Sequence, residues 1–292
     1  MRIFEFAKVA EWDSHLQDLA AMAESERWTY RKVPDPSPLP ILDSYVKNTF
    51  SRLSEQGQLS LTDRSACFNT GLLSPSQEEI FGLFRISDRF DSAQPQSPTN
   101  RKWFFTGWAR AGDRQLTYFP SLPSLATYWT DPSELIFNPQ LRVELNVDHI
   151  VRENLGRFPV ELGGRLRRDG VPEDLDEYDE SSEDGSRPGA LPFATRNALE
   201  GALKHSIRLA HRNYRISVPQ FYRGRIQLLL PLYLRESDRP DLAVTLQKHG
   251  DWYRAATVLY TDWAYRHARL LTRPNSEWLG GFRADLLEER SG

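Results

Sequence analysis

Apolar residues recur at helical intervals in two N-terminal stretches. Phe6, Val9, Leu16, Leu19 and Ala20 mark the first, and Ile41, Leu42, Tyr45, Val46, Phe50 and Leu53 the second. Between them, Pro34, Pro36, Pro38 and Pro40 remove amide donors and fix φ, so this segment is a stiff connector. Residues 1–58 are therefore expected to form a helical hairpin packed on the rest. The texture then changes to short, aromatic-rich words bounded by turn residues. Ala66–Phe68, Glu79–Ile86, Trp103–Ala109, Leu116–Phe119, Leu135–Phe137 and Leu141–Val147 are read as strands, with Gly112-Asp113 as a hairpin turn and Ser92–Asn100 as a polar loop. Residues 60–160 make the strand-rich part.

The segment 164–192 interrupts this pattern. Eight acidic residues crowd Glu173–Asp184, too little apolar surface to offset the cost of ordering, and a disordered loop is expected. A solvated loop is the leading reading; the alternative is an acidic mimic that shields a basic groove, binds a cation or meets a protein partner. Beyond it, Ala194–Ala210 has the length and composition of a helix. Val218–Tyr222 reads as extended, Arg225–Leu230, Ala243–Gln247 and Arg254–Tyr260 as buried strands, and Asp262–Leu271 as strand or helix. The expected fold is mixed α/β (α+β). An N-terminal helical hairpin packs on a central, mainly antiparallel twisted sheet, and a long helix lies in the C-terminal half.

Composition narrows the function classes. The chain has 292 residues, 12% of them aromatic, and a net charge of −3, so there is no global nucleic-acid footprint. The distribution says more: residues 193–280 carry fourteen Lys and Arg against seven Asp and Glu. No apolar run is long enough to span a membrane, and the N-terminus has no secretory h-region. The single cysteine, Cys67, rules out an internal disulfide or a cysteine-based zinc site. A cytoplasmic protein without a membrane partner is expected.

No phosphate-binding glycine loop, nucleophile elbow or His-Glu-x-x-His motif occurs. Four weaker constellations remain. Asn69, Thr70 and Gly71 at a strand end offer an amide, a hydroxyl and backbone N–H groups to a phosphate or base; a turn needing glycine explains them equally well. His149 suits proton transfer, with Asn154 and Arg157 three residues apart behind it. Lys204, Arg208 and His211 form a basic stripe that leads into Asn213, Tyr214, Gln220 and Tyr222, the mixture of charge and ring faces that single-stranded nucleic acid requires. Asp262, His267, Arg269 and Arg273 concentrate polar function in an otherwise apolar segment, where a buried Arg calls for a carboxylate or phosphate.

Taken in order, several words resemble one family. They are Phe4-Glu5-Phe6-Ala7 with Trp12; Glu26-Arg27-Trp28; Phe68–Leu72; Asp148-His149-Ile150 with Asn154, Arg157, Phe158 and Pro159; Asn213-Tyr214; Val218–Tyr222; Ile226–Leu232; and Asp262–Arg269 with Arg273, Pro274, Trp278 and Leu279. Together they resemble the bacterial domain of unknown function DUF3825. The likeness runs nearly end to end and so implies one family domain over residues 1–292. It departs from the family's pattern at His267, where Asn is expected, and in the acidic loop. It implies an RNA context, since such domains accompany cold-shock and winged LOTUS-type RNA-binding modules, and it implies no catalytic residue.

The leading expectation is an RNA- or nucleotide-directed phosphoester hydrolase or transferase acting in RNA processing or defence. His149, Asn154, Arg157, Asp262 and Arg269 are its candidate catalytic residues. Asn69, Thr70, Gly71, Lys204, Arg208, Asn213, Tyr214, Gln220, Tyr222 and Arg273 are the candidates for holding RNA or a nucleotide. No cofactor and no metal ligand set is expected, with Mg²⁺ as the alternative. The runner-up is a non-catalytic RNA-binding module or nucleotide sensor.

Overall fold

The computed structural model describes residues 1–87, 102–172, 193–275 and 277–280. The acidic run Glu173–Asp184 and the polar loop Ser92–Asn100 lie outside the described residues. The chain folds into two compact units. The first holds residues 1–30 and 35–127, and the second holds 31–34 and 128 onward. Each unit is built on its own five-stranded sheet, so the strands expected in one central sheet are divided between two. Alternation along a strand reveals which face is buried but not which strand is its neighbour, and the division was therefore not predictable locally.

In the first unit the elements are helix α1 (Ile3–Phe6), strand β1 (Ala7–Lys8), helices α2 (Trp12–Met22) and α3 (Pro40–Glu55), and strands β2 (Ser60–Leu61), β3 (Ser65–Leu73), β4 (Glu79–Ile86) and β5 (Trp103–Arg110). The sheet order is β1-β5-β4-β3-β2, antiparallel except for the β1–β5 pair. Helix α3 begins on Pro40, whose missing N–H costs nothing in a first turn. It buries Ile41, Leu42, Tyr45, Val46, Phe50 and Leu53, the stripe its spacing predicts.

Aromatic rings fill the space between helices and sheet. Phe6 meets Phe84, Phe50 meets Phe68, and Phe84 meets Phe105 edge to face at 5.0, 5.2 and 5.2 Å. Phe68 lies so flat on β4 that a Cβ at Gly82 would sit 2.1 Å from its ring. A smaller cluster of Cys67, Phe81, Leu83, Ala109, Leu116 and Phe119 is also buried, and burial pushes the Cys67 thiol up to about 12, which leaves it unreactive. Leu116–Phe119, expected as a strand, instead belongs to a 3-10 turn over Arg114–Tyr118 and its cap. A 3-10 turn brings residues three apart onto one side, and Leu116 and Phe119 both enter that cluster.

The second unit contains strand β6 (Arg142–Leu145), helices α4 (Val147–Asn154) and α5 (Phe193–Arg212), strands β7 (Val218–Tyr222), β8 (Arg225–Leu232), β9 (Leu242–His249) and β10 (Trp252–Tyr260), and helices α6 (Thr261–Arg269) and α7 (Glu277–Gly280). Its sheet runs β6-β10-β9-β8-β7, antiparallel except for the β6–β10 pair. Leu135–Phe137, also expected as a strand, does not pair. Asp131 caps a 3-10 turn over Pro132–Leu135, and Phe137 then packs on Tyr253 at 5.2 Å. Strand β6 stops at Leu145 because the Asn146 side chain accepts the His149 N–H and starts α4. His149 is therefore in a first helical turn, not at a strand end. The long C-terminal-half helix is α5, and Asp262–Arg269 is helical. Among the described residues no helix is long and apolar enough to cross a membrane.

Candidate functional site

In the first unit, Asn69, Thr70 and Gly71 form a bulge where the β3–β4 register shifts between Asn69 and Leu73. Asn69 Oδ1 accepts the Gly71 N–H at 2.9 Å, and its Nδ2 donates to Glu79 at 3.1 Å. The Thr70 hydroxyl donates to the Ile80 carbonyl at 2.6 Å and accepts the Leu72 N–H at 3.2 Å. Gly71 has φ +75°, and a Cβ there would meet the Tyr45 hydroxyl at 2.7 Å. The bulge itself accounts for all three residues.

In the second unit, three polar groupings lie on or beside the sheet. The first is buried. The Arg157 guanidinium donates from Nη1 to Asn154 Oδ1 at 2.6 Å and to the Val258 carbonyl at 2.7 Å, and lies 5.3 Å over the Trp263 ring. Asn154 Oδ1 also accepts the Thr257 hydroxyl at 2.8 Å. The spacing of three that suggested a shared face thus becomes a direct bond. Asp262 is 2% exposed, and its carboxylate accepts three successive backbone N–H groups, from Arg31, Lys32 and Val33, at 3.1, 2.8 and 3.1 Å. This is a backbone nest closed on an internal anion. Arg269, on the same helix, is buried too.

The second grouping is a relay on β7, β8 and α6. Gln220 and Gln227 are cross-strand partners, and Gln220 Nε2 donates to Gln227 Oε1 at 2.8 Å. His267 bridges onward, with Nδ1 3.3 Å from Gln220 Oε1 and Nε2 3.4 Å from Arg266 Nη2. A guanidinium can only donate, so Nε2 is the acceptor and Nδ1 carries the proton to Gln220. Burial first, and the Arg266 charge second, push the His267 pKa down to about 3. The ring is therefore neutral near pH 7 and stacks on Tyr222 at 5.3 Å. Two of the residues expected to contact RNA, Gln220 and Tyr222, meet here with His267.

The third grouping is exposed. Lys204, Arg208, His211 and Arg212 lie on the outer face and end of α5, followed by exposed Asn213, Tyr214 and Arg215. Tyr214 is 65% exposed, with the Arg215 guanidinium 5.9 Å over its ring. Asn213 Oδ1 accepts the Arg215 N–H and sets this turn. Lys204, Arg208 and Arg212 make no ion pair among the described residues. His149 lies apart from these groupings, with its Nδ1 2.6 Å from Glu153 in the i, i+4 relation on α4.

The family model for the domain of unknown function DUF3825 matches residues 19–278. The chain belongs to the DUF3825 family. No curated protein and no solved structure matches it. The DUF3825 match runs across both units.

In this DUF3825 chain the candidate residues do not converge on one point. Asn154 and Arg157 face inward, His149 faces solvent with Glu153, Arg273 is exposed, and Asp262 holds backbone. The sequence also passed over a buried ion pair. Asp241 accepts the Leu234 and Arg235 N–H groups at 2.9 and 3.1 Å and binds the Arg235 guanidinium at 2.6 Å. Lys32 lies beside Gly170, where a Cβ would meet its Nζ at 2.6 Å, and desolvation, then the Arg239 charge, lower its pKa. Residue types alone carried no signal for the ion pair, because an Arg and an Asp six residues apart in a polar stretch between strands do not show by spacing that they meet. Among the described residues no three His, Cys, Asp or Glu side chains are grouped to hold a metal ion.

Proposed function

We propose that this protein binds single-stranded RNA through the exposed face and C-terminal end of α5. One observation carries the reading: Lys204, Arg208 and Arg212 make no ion pair among the described residues, and the stripe ends on the exposed Tyr214–Arg215 pair. Unpaired cations supply phosphate contacts, and an exposed ring supplies a stacking face for a base. Binding is favoured over phosphoester chemistry because Asn154, Arg157 and Asp262 spend polar atoms on protein groups.

The test is fluorescence anisotropy with a short single-stranded RNA across a salt series. Changing Lys204, Arg208 and Arg215 together to Glu is expected to weaken binding at least about 30-fold and to reduce the slope of log K against log salt by about 2 to 3. Unchanged affinity in this variant would overturn the assignment. The same mixtures, with and without Mg²⁺, are analysed by mass spectrometry. A cleaved or transferred product would replace the binding reading with the phosphoester one and make His149, with its Glu153 partner, the first residue to change.

A further inference from the structure

At the edge of the second sheet, β6 and β10 frame a cleft of about 360 Å³ lined by Glu144, Asn146, Arg196, Trp252 and Arg254 among others. We propose that this cleft binds a nucleoside phosphate, its base against Trp252 and its phosphate on Arg254. The volume falls within the range of small-molecule sites.

The charges in the cleft favour an anion. Glu144 is neutralised by Arg142 at 2.9 Å. Arg196 uses its Nε toward Glu200 at 3.2 Å, which leaves the outer nitrogens of its fork. Arg254 is exposed and makes no ion pair among the described residues. It stands directly across the ladder from Glu144 on one side and Gln247 on the other. A planar guanidinium with no ion pair among the described residues matches the oxygens of a phosphate or a carboxylate, and the aromatic wall beside it favours a phosphate carried on a base.

The aromatic wall is preset. Trp252 pairs with His249 across β9–β10 and with Arg142 across β6–β10. The His249 ring stacks on it at 5.0 Å and 22°, and the Arg142 guanidinium lies 5.9 Å from it. His249 holds the ring, and a base stacks on it in exchange for the exposed Arg142 guanidinium, so the ring itself loses little freedom on binding. Asn146 adds a fixed amide. Its Oδ1 caps α4 by accepting the His149 N–H at 3.1 Å, so Nδ2 is the end left to donate. The wall thus offers a ring, a fork, an amide donor and, in Glu144, a carboxylate acceptor. That set suits a base and sugar carrying a phosphate, whether a free mononucleotide or the phosphorylated end of an RNA strand. It shares no residue with the α5 stripe, so the two proposals stand or fall separately.

Calorimetric titration of the full chain with AMP, adenosine and inorganic phosphate tests the site. AMP is expected to bind more tightly than adenosine or phosphate alone. Arg254→Gln is expected to weaken AMP about tenfold through loss of a charge-assisted contact. Trp252→Leu is expected to weaken it by a similar factor through loss of stacking, about tenfold. Arg254 is on the surface, so its variant keeps the test valid if Trp252→Leu folds poorly. The Lys204, Arg208 and Arg215 triple variant should keep AMP affinity unchanged. A preference for 5′-phosphorylated over 5′-hydroxyl RNA, lost in Arg254→Gln, would identify a strand end as the ligand; its absence alongside tight AMP binding would identify the free nucleotide. The proposal is overturned if AMP does not bind at millimolar concentration, if Arg254→Gln leaves its affinity unchanged, or if inorganic phosphate binds as tightly as AMP.

Discussion

Asp262→Ala is expected to destabilise the protein by about 4 kcal/mol, because it leaves three converging backbone N–H groups without their shared acceptor in a buried setting. Those donors belong to Arg31, Lys32 and Val33, a segment 229 to 231 residues away in sequence from the carboxylate it wraps. Pro34 follows directly and the segment joins no strand, so Asp262 is what its amides bond to. The carboxylate also sits in the first turn of α6, where the free N–H groups of the helix favour negative charge. Asp262→Asn keeps one acceptor oxygen and the side-chain volume but loses the charge, and about half the cost is expected. Urea unfolding of the two variants and the wild type measures both values. An alanine variant within about 1 kcal/mol of wild type would show that the nest is satisfied by other means.

The same carboxylate shows what could and could not be read from the residues. Its segment was open between strand and helix, since nine residues mixing Trp, Tyr, Ala and Arg fit either period. That it is buried and charged could be anticipated from its apolar neighbours. That its partners are the amides of a proline-rich connector could not, because backbone donors carry no residue signature. Strands β4 and β5 were readable almost to the residue, with long apolar words and clear turns at their ends. Leu116–Phe119 and Leu135–Phe137 were not: a word of three or four residues does not distinguish a 3-10 turn from a strand. The α5 stripe was legible because helical spacing is local, and its exposure follows from the apolar residues on the opposite face. The β6–β10 cleft was not, because it depends on a parallel pairing between strands separated by more than 100 residues. Trp252 and His249 are three apart across a tight turn, and only the antiparallel register turns that spacing into a stack.

Arg157 is the second place where a single change should have a large effect. The residue is 8% exposed, and its guanidinium joins three parts of the second unit: the end of α4 through Asn154, strand β10 through the Val258 carbonyl, and α6 through the Trp263 ring. Arg157→Ala removes the donor from two buried acceptors and opens a void beneath Trp263, for an expected loss of about 3 to 5 kcal/mol. Arg157→Lys retains the charge but not the fork. Nη1 alone makes both hydrogen bonds, so an ammonium could match them in number, but its shorter reach and compact head do not cover the indole, and it should recover less than half of the loss, about 1 to 2 kcal/mol. Asn154→Ala removes the other end of the same bond while Thr257 loses its acceptor. If Arg157 and Asn154 act as one unit, the double variant falls short of the sum of the singles by about 1 to 2 kcal/mol in a double-mutant cycle read by urea unfolding. Strict additivity would mean that the 2.6 Å contact contributes little and that Val258 and Trp263 alone hold the guanidinium. A lysine variant as stable as wild type, with RNA binding lost, would instead move Arg157 from the framework of this unit to its ligand.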